Sequence, residues 1–363
     1  MTASYAYLDH ASVGPLSCPA LETMTASLGS QARRGSLDHP QLHETAEDAR
    51  GRFAKLTGAS PRQIAYVPST SAGISMIASG LDLRDGDEVV APAIEFPSAV
   101  LPWVVLRDKG VVLRRIPCPD GQVSIDTLLD ACNRRTRVIS TSWVQFSSGF
   151  RLDLRALGEA CRKRDIFLVV DGMQGVGALD IDVGSLPVDA LVTQSYKWLL
   201  GPQGVGWLYM SERLSAATGL TAAGVRTREP RESYFDHVLQ PRDCVARFES
   251  GILDFHAIGG ATASQCLLME VGIPAVEDAV VELGDRLRVG LSRMGCSVFG
   301  GAKTSGLRSQ IVAFKHPRRP AQECVDALLA RGVVTSVREN HVRVSPHFYN
   351  TPQEIDLLLS VLN

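Results

Sequence analysis

The chain has 363 residues, 45% hydrophobic and 21% charged, which is enough apolar content for a large core and excludes a disordered chain. Its length points to two or three domains. Lys plus Arg number 37 against 39 Asp plus Glu, a net charge of −2, and that balance argues against a nucleic-acid binder, which needs a basic excess or stripe. No apolar run approaches the roughly 18 residues that span a bilayer, so no membrane partner is expected. Met1-Thr2-Ala3-Ser4-Tyr5 shows no basic stretch followed by an apolar one, and the expectation is a soluble cytoplasmic protein. Cysteines stand at 18, 118, 132, 161, 244, 266, 296 and 324 without a C-x-x-C pair, which indicates packed thiols rather than a disulfide framework or zinc ribbon.

Strand-like runs then alternate with helical patterns. Residues 64–67 read as a strand leading through Pro68-Ser69-Thr70-Ser71-Ala72-Gly73 into a helix that ends near 81. A second strand at 88–91 precedes a helix over 98–107. Strands at 111–116 and 137–142 flank a helix that Ser124 can cap, and Asp153 caps another that runs to about 164. Residues 166–170 are almost purely apolar, as in a strand covered on both faces, and 189–193 and 205–210 continue the pattern. This is an α/β chain with a mostly parallel central sheet flanked by helices. Residues 219–248 carry little periodicity and read as a long connection. Helices at 257–271 and 275–294, strands at 309–314, 333–337 and 342–345, and a capping box at Thr351-Pro352-Gln353-Glu354 then suggest a smaller α+β unit. The expected division is an N-terminal segment 1–20 at the active site, a large domain 21–248 and a small domain 249–363.

Two residues carry the chemistry. Asp171 ends an apolar strand, and Lys197 lies in Ser195-Tyr196-Lys197-Trp198-Leu199-Leu200-Gly201, on the loop after the next one. Ligands of open α/β sheets bind beyond the carboxyl ends of strands, so both face the ligand edge. A carboxylate there needs a cationic partner, and desolvation lowers an aromatic-flanked amine. Together they supply what pyridoxal phosphate requires: an amine for the Schiff base and an acid for the pyridine nitrogen. The competing readings are a solvated loop lysine and a helix-capping aspartate. Small residues at 70–73, between strand and helix, can hold an anion on backbone N–H groups, or form an ordinary turn.

From Tyr7-Leu8-Asp9-His10-Ala11 to Arg343-Val344-Ser345-Pro346-His347-Phe348-Tyr349-Asn350-Thr351, the sequence resembles the class V aminotransferase group of fold-type I pyridoxal-phosphate enzymes, which includes cysteine desulfurases, isopenicillin N epimerases and kynureninases. The resemblance implies that Lys197 forms the internal aldimine, that Asp171 binds the pyridine nitrogen and that Gln174 bonds the phenolic oxygen. It places the phosphate on Ser71 and Ala72 and sets Phe96 on the pyridine face, where desulfurases carry a histidine. Tyr196 departs from the family's common His and resembles the kynureninase arrangement, its hydroxyl directed to the phosphate. Gln194 stands where a phosphate-binding Ser is usual. The resemblance further implies that Gln145 is a cofactor or substrate contact, that Arg343 takes the substrate α-carboxylate, and that His10 and Ser12 border the substrate pocket. The resemblance also implies a homodimer with a shared site, reached through Arg247-Phe248-Glu249-Ser250-Gly251-Ile252, where Ile252 replaces a Thr.

The residues narrow the reaction. Desulfurases need a mobile Cys about fifteen residues before the arginine matched by Arg343, and residues 328–336 hold none. An amino-acid aminotransferase is the working expectation, followed by β-elimination with C–S cleavage, epimerisation, and a non-catalytic cofactor-binding regulator. No metal is expected: His39 and His43 have Pro40 between them and no third ligand, and read as a surface helix. Gly172-Met173-Gln174-Gly175-Val176-Gly177 lacks dinucleotide spacing, and Gly300-Gly301-Ala302-Lys303-Thr304 lacks a P-loop glycine before its lysine.

Overall fold

The computed structural model describes residues 4–229, 233, 235–301 and 307–363, so Ala302, Lys303, Thr304 and part of the 219–248 connection lie outside the described residues. Its centre is a seven-stranded sheet in the order Ile64–Val67, Gly206–Met210, Ala190–Gln194, Phe167–Asp171, Thr136–Ser142, Glu88–Pro92, Val112–Ile116. Only Gly206–Met210 runs against the others. The other six therefore end at the same edge, and the connections that return the chain carry helices across the faces.

Alternation along the strands shows why both faces are covered. Leu168, Val170 and Leu191 pack into one apolar cluster with Phe53, Ile139 and Trp207. Val169, Ala190 and Val192 point the other way, into a second cluster with Ile74, Ile77 and Trp103. Each such side chain contributes about 2 kcal/mol by leaving water. Helix Thr70–Gly80 packs against Pro97–Val104 on one face, and Phe255–Val271 packs against Cys18–Arg34 and His39–Thr57. Asp153 and Ser124 cap their helices through Ala156 N and Thr127 N at 3.0 and 3.2 Å. The expected helix over 98–107 instead tightens into a 3₁₀ turn, Val105–Lys109, that ends on Gly110 with φ 81°.

A four-stranded antiparallel sheet, ordered Ser336–Arg338, His341–Val344, Val312–Lys315, Ser297–Phe299, forms the C-terminal unit. The long helix Ile273–Arg293 links the two bodies. Its Ile273, Val276 and Val280 lie in the large core, and its Leu283, Leu287 and Leu291 in the small one. The N-terminal segment docks on the small unit: Ala6–Tyr7 pairs in parallel with Val333–Val334, and Leu8 joins the small core. No helix of the described residues is long and apolar enough to cross a membrane.

Candidate active site

Strand ends bring the site together. Asp171 and Ser142 are the last residues of neighbouring strands and are direct partners in the parallel register. The Ala190–Gln194 strand runs into the Lys197 loop, Ile64–Val67 runs into the start of helix Thr70–Gly80, and Glu88–Pro92 leads to Glu95 and Phe96. Together they form a small pocket lined by Thr70, Phe96, Ser98, Ser142, Phe146, Asp171, Met173, Gln174, Gln194, Tyr196 and Lys197. A larger open groove, bordered by Cys118 and Phe150, shares no residue with it.

Lys197 is positioned through the backbone of its loop. Gly14 N donates to Tyr196 O at 2.8 Å, and Ser17 N and Ser264 Oγ donate to Leu200 O at 3.0 and 2.8 Å. A Cβ on Gly14 would stand 2.2 Å from Lys197 O, so the N-terminal segment can approach this closely only as glycine. Leu200 adopts φ 53°, a left-handed conformation that non-glycine residues keep only where the surroundings enforce it. The Lys197 Nζ lies 5.8 Å from the ring centroids of both Phe96 and Tyr196. Burial pushes its amine pKa down, and the positive charge of Arg343 pushes the same way. Asp171 is shifted in the opposite direction, raised by burial and by the charge of Glu95, while Met173 N donates to its Oδ1 at 2.9 Å.

The pocket wall holds Gln174, Gln194, Phe96 and Tyr196, several of them already engaged, while Ser71 and Ala72 follow Thr70 at the start of its helix. Gln174 donates from Nε2 to Ala11 O at 3.0 Å and accepts at Oε1 from Trp198 Nε1 at 2.9 Å, which leaves one N–H on Nε2. Gln194 Nε2 donates to Pro68 O at 2.9 Å. Ser69 caps helix Thr70–Gly80 through Ala72 N at 3.0 Å. That spends the Ala72 N–H, and the N–H groups of Thr70 and Ser71 remain as first-turn donors. Ser71 Oγ pairs with Ser98 Oγ at 2.8 Å on the exposed rim. Phe96 is 44% exposed and meets Phe146 edge-on at 5.2 Å.

Two expected residues are placed otherwise. His10 is fully buried, its Nδ1 donating to Ser345 O at 3.0 Å and its Nε2 accepting from the Tyr349 hydroxyl at 2.5 Å. With both ring nitrogens satisfied it ties the N-terminal segment to the C-terminal unit and does not line the pocket. Gln145 is also fully buried and donates to Glu95 Oε1 at 2.6 Å, behind the wall.

Arg343 is 1% exposed and meets Ser12: Nη2 donates to Ser12 Oγ at 2.6 Å and to Asp9 Oδ1 at 3.2 Å, and Nη1 to Phe146 O at 2.9 Å. Its buried Nε has no hydrogen-bond partner among the described residues. Burial pushes its pKa down to about 10, so it stays protonated at neutral pH. Sequence reading missed Arg338, whose Nη2 donates to the same Ser12 Oγ at 2.8 Å. The signal was available: Ser336 faces Arg343 across the strand pair, and Arg338, two residues on, shares that face. It also missed Glu95, the residue before Phe96.

The chain's residues 6–358 match the family model for class-V aminotransferases. The chain belongs to the class V aminotransferase family. Over 86% of its length it is 31% identical to the uncharacterized aminotransferase YcbU of Bacillus subtilis, covering 81% of that protein. It is 29% identical to isopenicillin N epimerase of Amycolatopsis lactamdurans, with 98% of this chain and 94% of that one aligned. It is 28% identical to a probable cysteine desulfurase of Methanothermobacter thermautotrophicus, over 98% and 93% of the two chains. Among solved structures, the C-DES protein with glycine covalently linked to its PLP cofactor superimposes with a TM-score of 0.91 at 21% identity, covering 99% of this chain and 96% of that one. The cystine C–S lyase C-DES with its product cysteine persulfide gives 0.90 at 22%, over 99% and 97%. This class V protein is therefore an enzyme with the fold-type I architecture, and its cofactor is pyridoxal phosphate.

Proposed function

We propose that this class V enzyme transaminates an amino acid, with Lys197 as its catalytic residue. One observation carries the reading: Lys197 is the one amine in the pocket lining, facing a buried Asp171, and no cysteine lines that pocket. A transaminating site needs a single base that can deliver the Cα proton to the cofactor carbon on the same face. The residues present fit pyridoxal phosphate. Asp171 has a carboxylate oxygen beyond the Met173 bond and would hold the pyridine nitrogen, whose positive charge would return the burial-raised acid to its ionised form. Helix Thr70–Gly80, with Ser71, would hold the phosphate, and Gln174 has one N–H left for the phenolic oxygen. Phe96 would lie on the ring, and Tyr196 and Gln194 would close its phosphate side. Bound there, the cofactor supplies an aldehyde for the lysine and an electron sink for a carbanion at Cα.

The protein's own groups do the rest. The lowered amine of Lys197 is partly neutral near physiological pH and can take a proton from Cα. Among the described residues, Arg343 and Arg338 present two cations against one counter-ion, Asp9, and a substrate α-carboxylate displacing their bonds to Ser12 Oγ would neutralise the set and satisfy the open Arg343 Nε. A persulfide route has no nucleophile: Cys324, which precedes the arginines, is fully buried in helix Ala321–Leu329. We also infer a homodimer that completes the site. The segment near Ser250 to Leu253 borders a groove beside the start of helix Thr70–Gly80, and Ile252 is 69% exposed there.

The test is product analysis of purified protein loaded with pyridoxal phosphate and given single amino acids and a 2-oxo acid. Transamination yields the matching 2-oxo acid and pyridoxamine phosphate. Pyruvate with ammonia or sulfide identifies β-elimination instead, and solvent deuterium at Cα without other change identifies epimerisation.

A further inference from the structure

Glu95 is a fully enclosed acid with more donors than a structural carboxylate needs. Its Oε1 accepts from Thr141 Oγ1 at 3.0 Å, Ser142 N at 2.9 Å and Gln145 Nε2 at 2.6 Å, and Ser142 Oγ donates to its Oε2. Two of these donors, a backbone N–H and an amide, can only donate, so Oε1 carries no proton; burial raises the Glu95 pKa, and the four bonds, with Ser142 Oγ donating to Oε2, work against it and favour the carboxylate. No basic side chain bonds to it among the described residues, which is unusual for a buried carboxylate. Its position explains the arrangement. Ser142 binds Glu95 through both backbone and side chain, and Ser142 is the sheet neighbour of Asp171, about 5 Å away in any parallel pair.

We propose that Glu95 is a positioning residue that sets a second negative charge one strand behind Asp171 and so holds the proton on the pyridine nitrogen. This rests on the proposed Asp171 role and adds to it. Ser142 lines the pocket wall and Gln145 lies behind it, so Glu95 also anchors the surface against which the ring would lie. Like charges this near raise each other's proton affinity, and a nearby cation relieves both. The ionisable groups facing the pair are few. Glu95 is faced by Cys118 and Asp171, Asp171 by Lys197 and Tyr196, and Lys197 in turn by Arg343, Arg338 and Asp9.

Glu95→Gln separates charge from packing, because a glutamine oxygen keeps the donors on Oε1 and its NH₂ can donate to Ser142 Oγ. The readout is the pH titration of the visible band of the protein loaded with pyridoxal phosphate, with cofactor affinity measured alongside. A negative charge stabilises nearby cations, so its removal moves the midpoint of that titration to lower pH, by roughly one unit. Glu95→Asp keeps the charge while shortening the reach, and its midpoint stays near that of the wild type even where affinity falls. An unmoved midpoint in Glu95→Gln, or an equal shift in both variants, overturns the proposal and leaves the Asp171 and Lys197 roles standing. A wild-type protein that takes up no cofactor sinks both.

Discussion

Arg343 and Lys197 show how burial turns ordinary side chains into reagents. Each is a basic group removed from water, and burial lowers the pKa of both. Arg343 is directed by Asp9 and Ser12 yet keeps a buried Nε open. A planar fork in that setting recognises a carboxylate in two places at once, which an ammonium cannot. Arg343→Lys is therefore expected to raise KM for the amino acid about 10- to 100-fold while kcat falls much less. Steady-state kinetics across amino acids check this, and an unchanged KM would remove Arg343 from substrate binding. Asp171 and Lys197 stood out in the sequence because they follow strands whose apolar runs can be read, whereas Arg343 was singled out through the family resemblance. The placement of His10 and Gln145 was not legible. Their neighbours, Tyr349 and Glu95, are 339 and 50 residues away, and nothing in the local pattern announces either contact.

Elements matter here chiefly through the N-terminal segment. Residues 6–17 cross the small unit, pass Arg343 and pin the Lys197 loop at Gly14 and Ser17. The joint is sealed by two neutral histidines. Burial pushes the His347 pKa down to about 4, with His347 Nε2 donating to Trp198 O at 2.9 Å, and His10 is lowered as well. A histidine lowered on folding binds fewer protons than in the unfolded chain, so its stabilising contribution is lost as pH falls from 6.5 to about 4. The loss is on the order of 3 kcal/mol. Asp171 and Glu95, both raised, act in the opposite sense over the acid range, so the comparison must be between variants. Denaturant titrations from pH 7 to 4.5 are expected to show a shallower pH dependence for His347→Gln than for the wild type. Parallel curves would contradict the neutral buried histidine. Strand and helix identities in the sheet were legible because apolar runs, caps and breakers agree. The expected strand over 333–337 is split, because its first half pairs with Ala6–Tyr7 and its second with His341–Val344. Such a change of partner leaves no mark in periodicity.

At the scale of the molecule, the site lies between two bodies joined by helix Ile273–Arg293 and strapped by the N-terminal segment. Beneath the expected subunit contact sits a buried ionic knot: Arg50 Nη1 donates to Glu249 Oε1 at 2.6 Å, and Arg226 Nη2 donates to Glu249 Oε2 at 3.0 Å. It ties the 219–248 connection and the segment before Ile252 to helix His39–Thr57, a pairing that sequence reading could not supply because the three parts are far apart in the chain. A charge on the exposed Ile252 should disturb association without touching this knot. Ile252→Asp is expected to shift the particle from dimer to monomer in sedimentation and to weaken cofactor binding in parallel. A monomeric wild type contradicts the shared site.

The central claim is a covalent one and can be read directly. Borohydride reduction of the cofactor-loaded protein, followed by digestion and peptide mass mapping, should place the pyridoxyl group on Lys197 and abolish labelling in Lys197→Ala. A label on another lysine, or none on a protein that has bound the cofactor, would contradict the account.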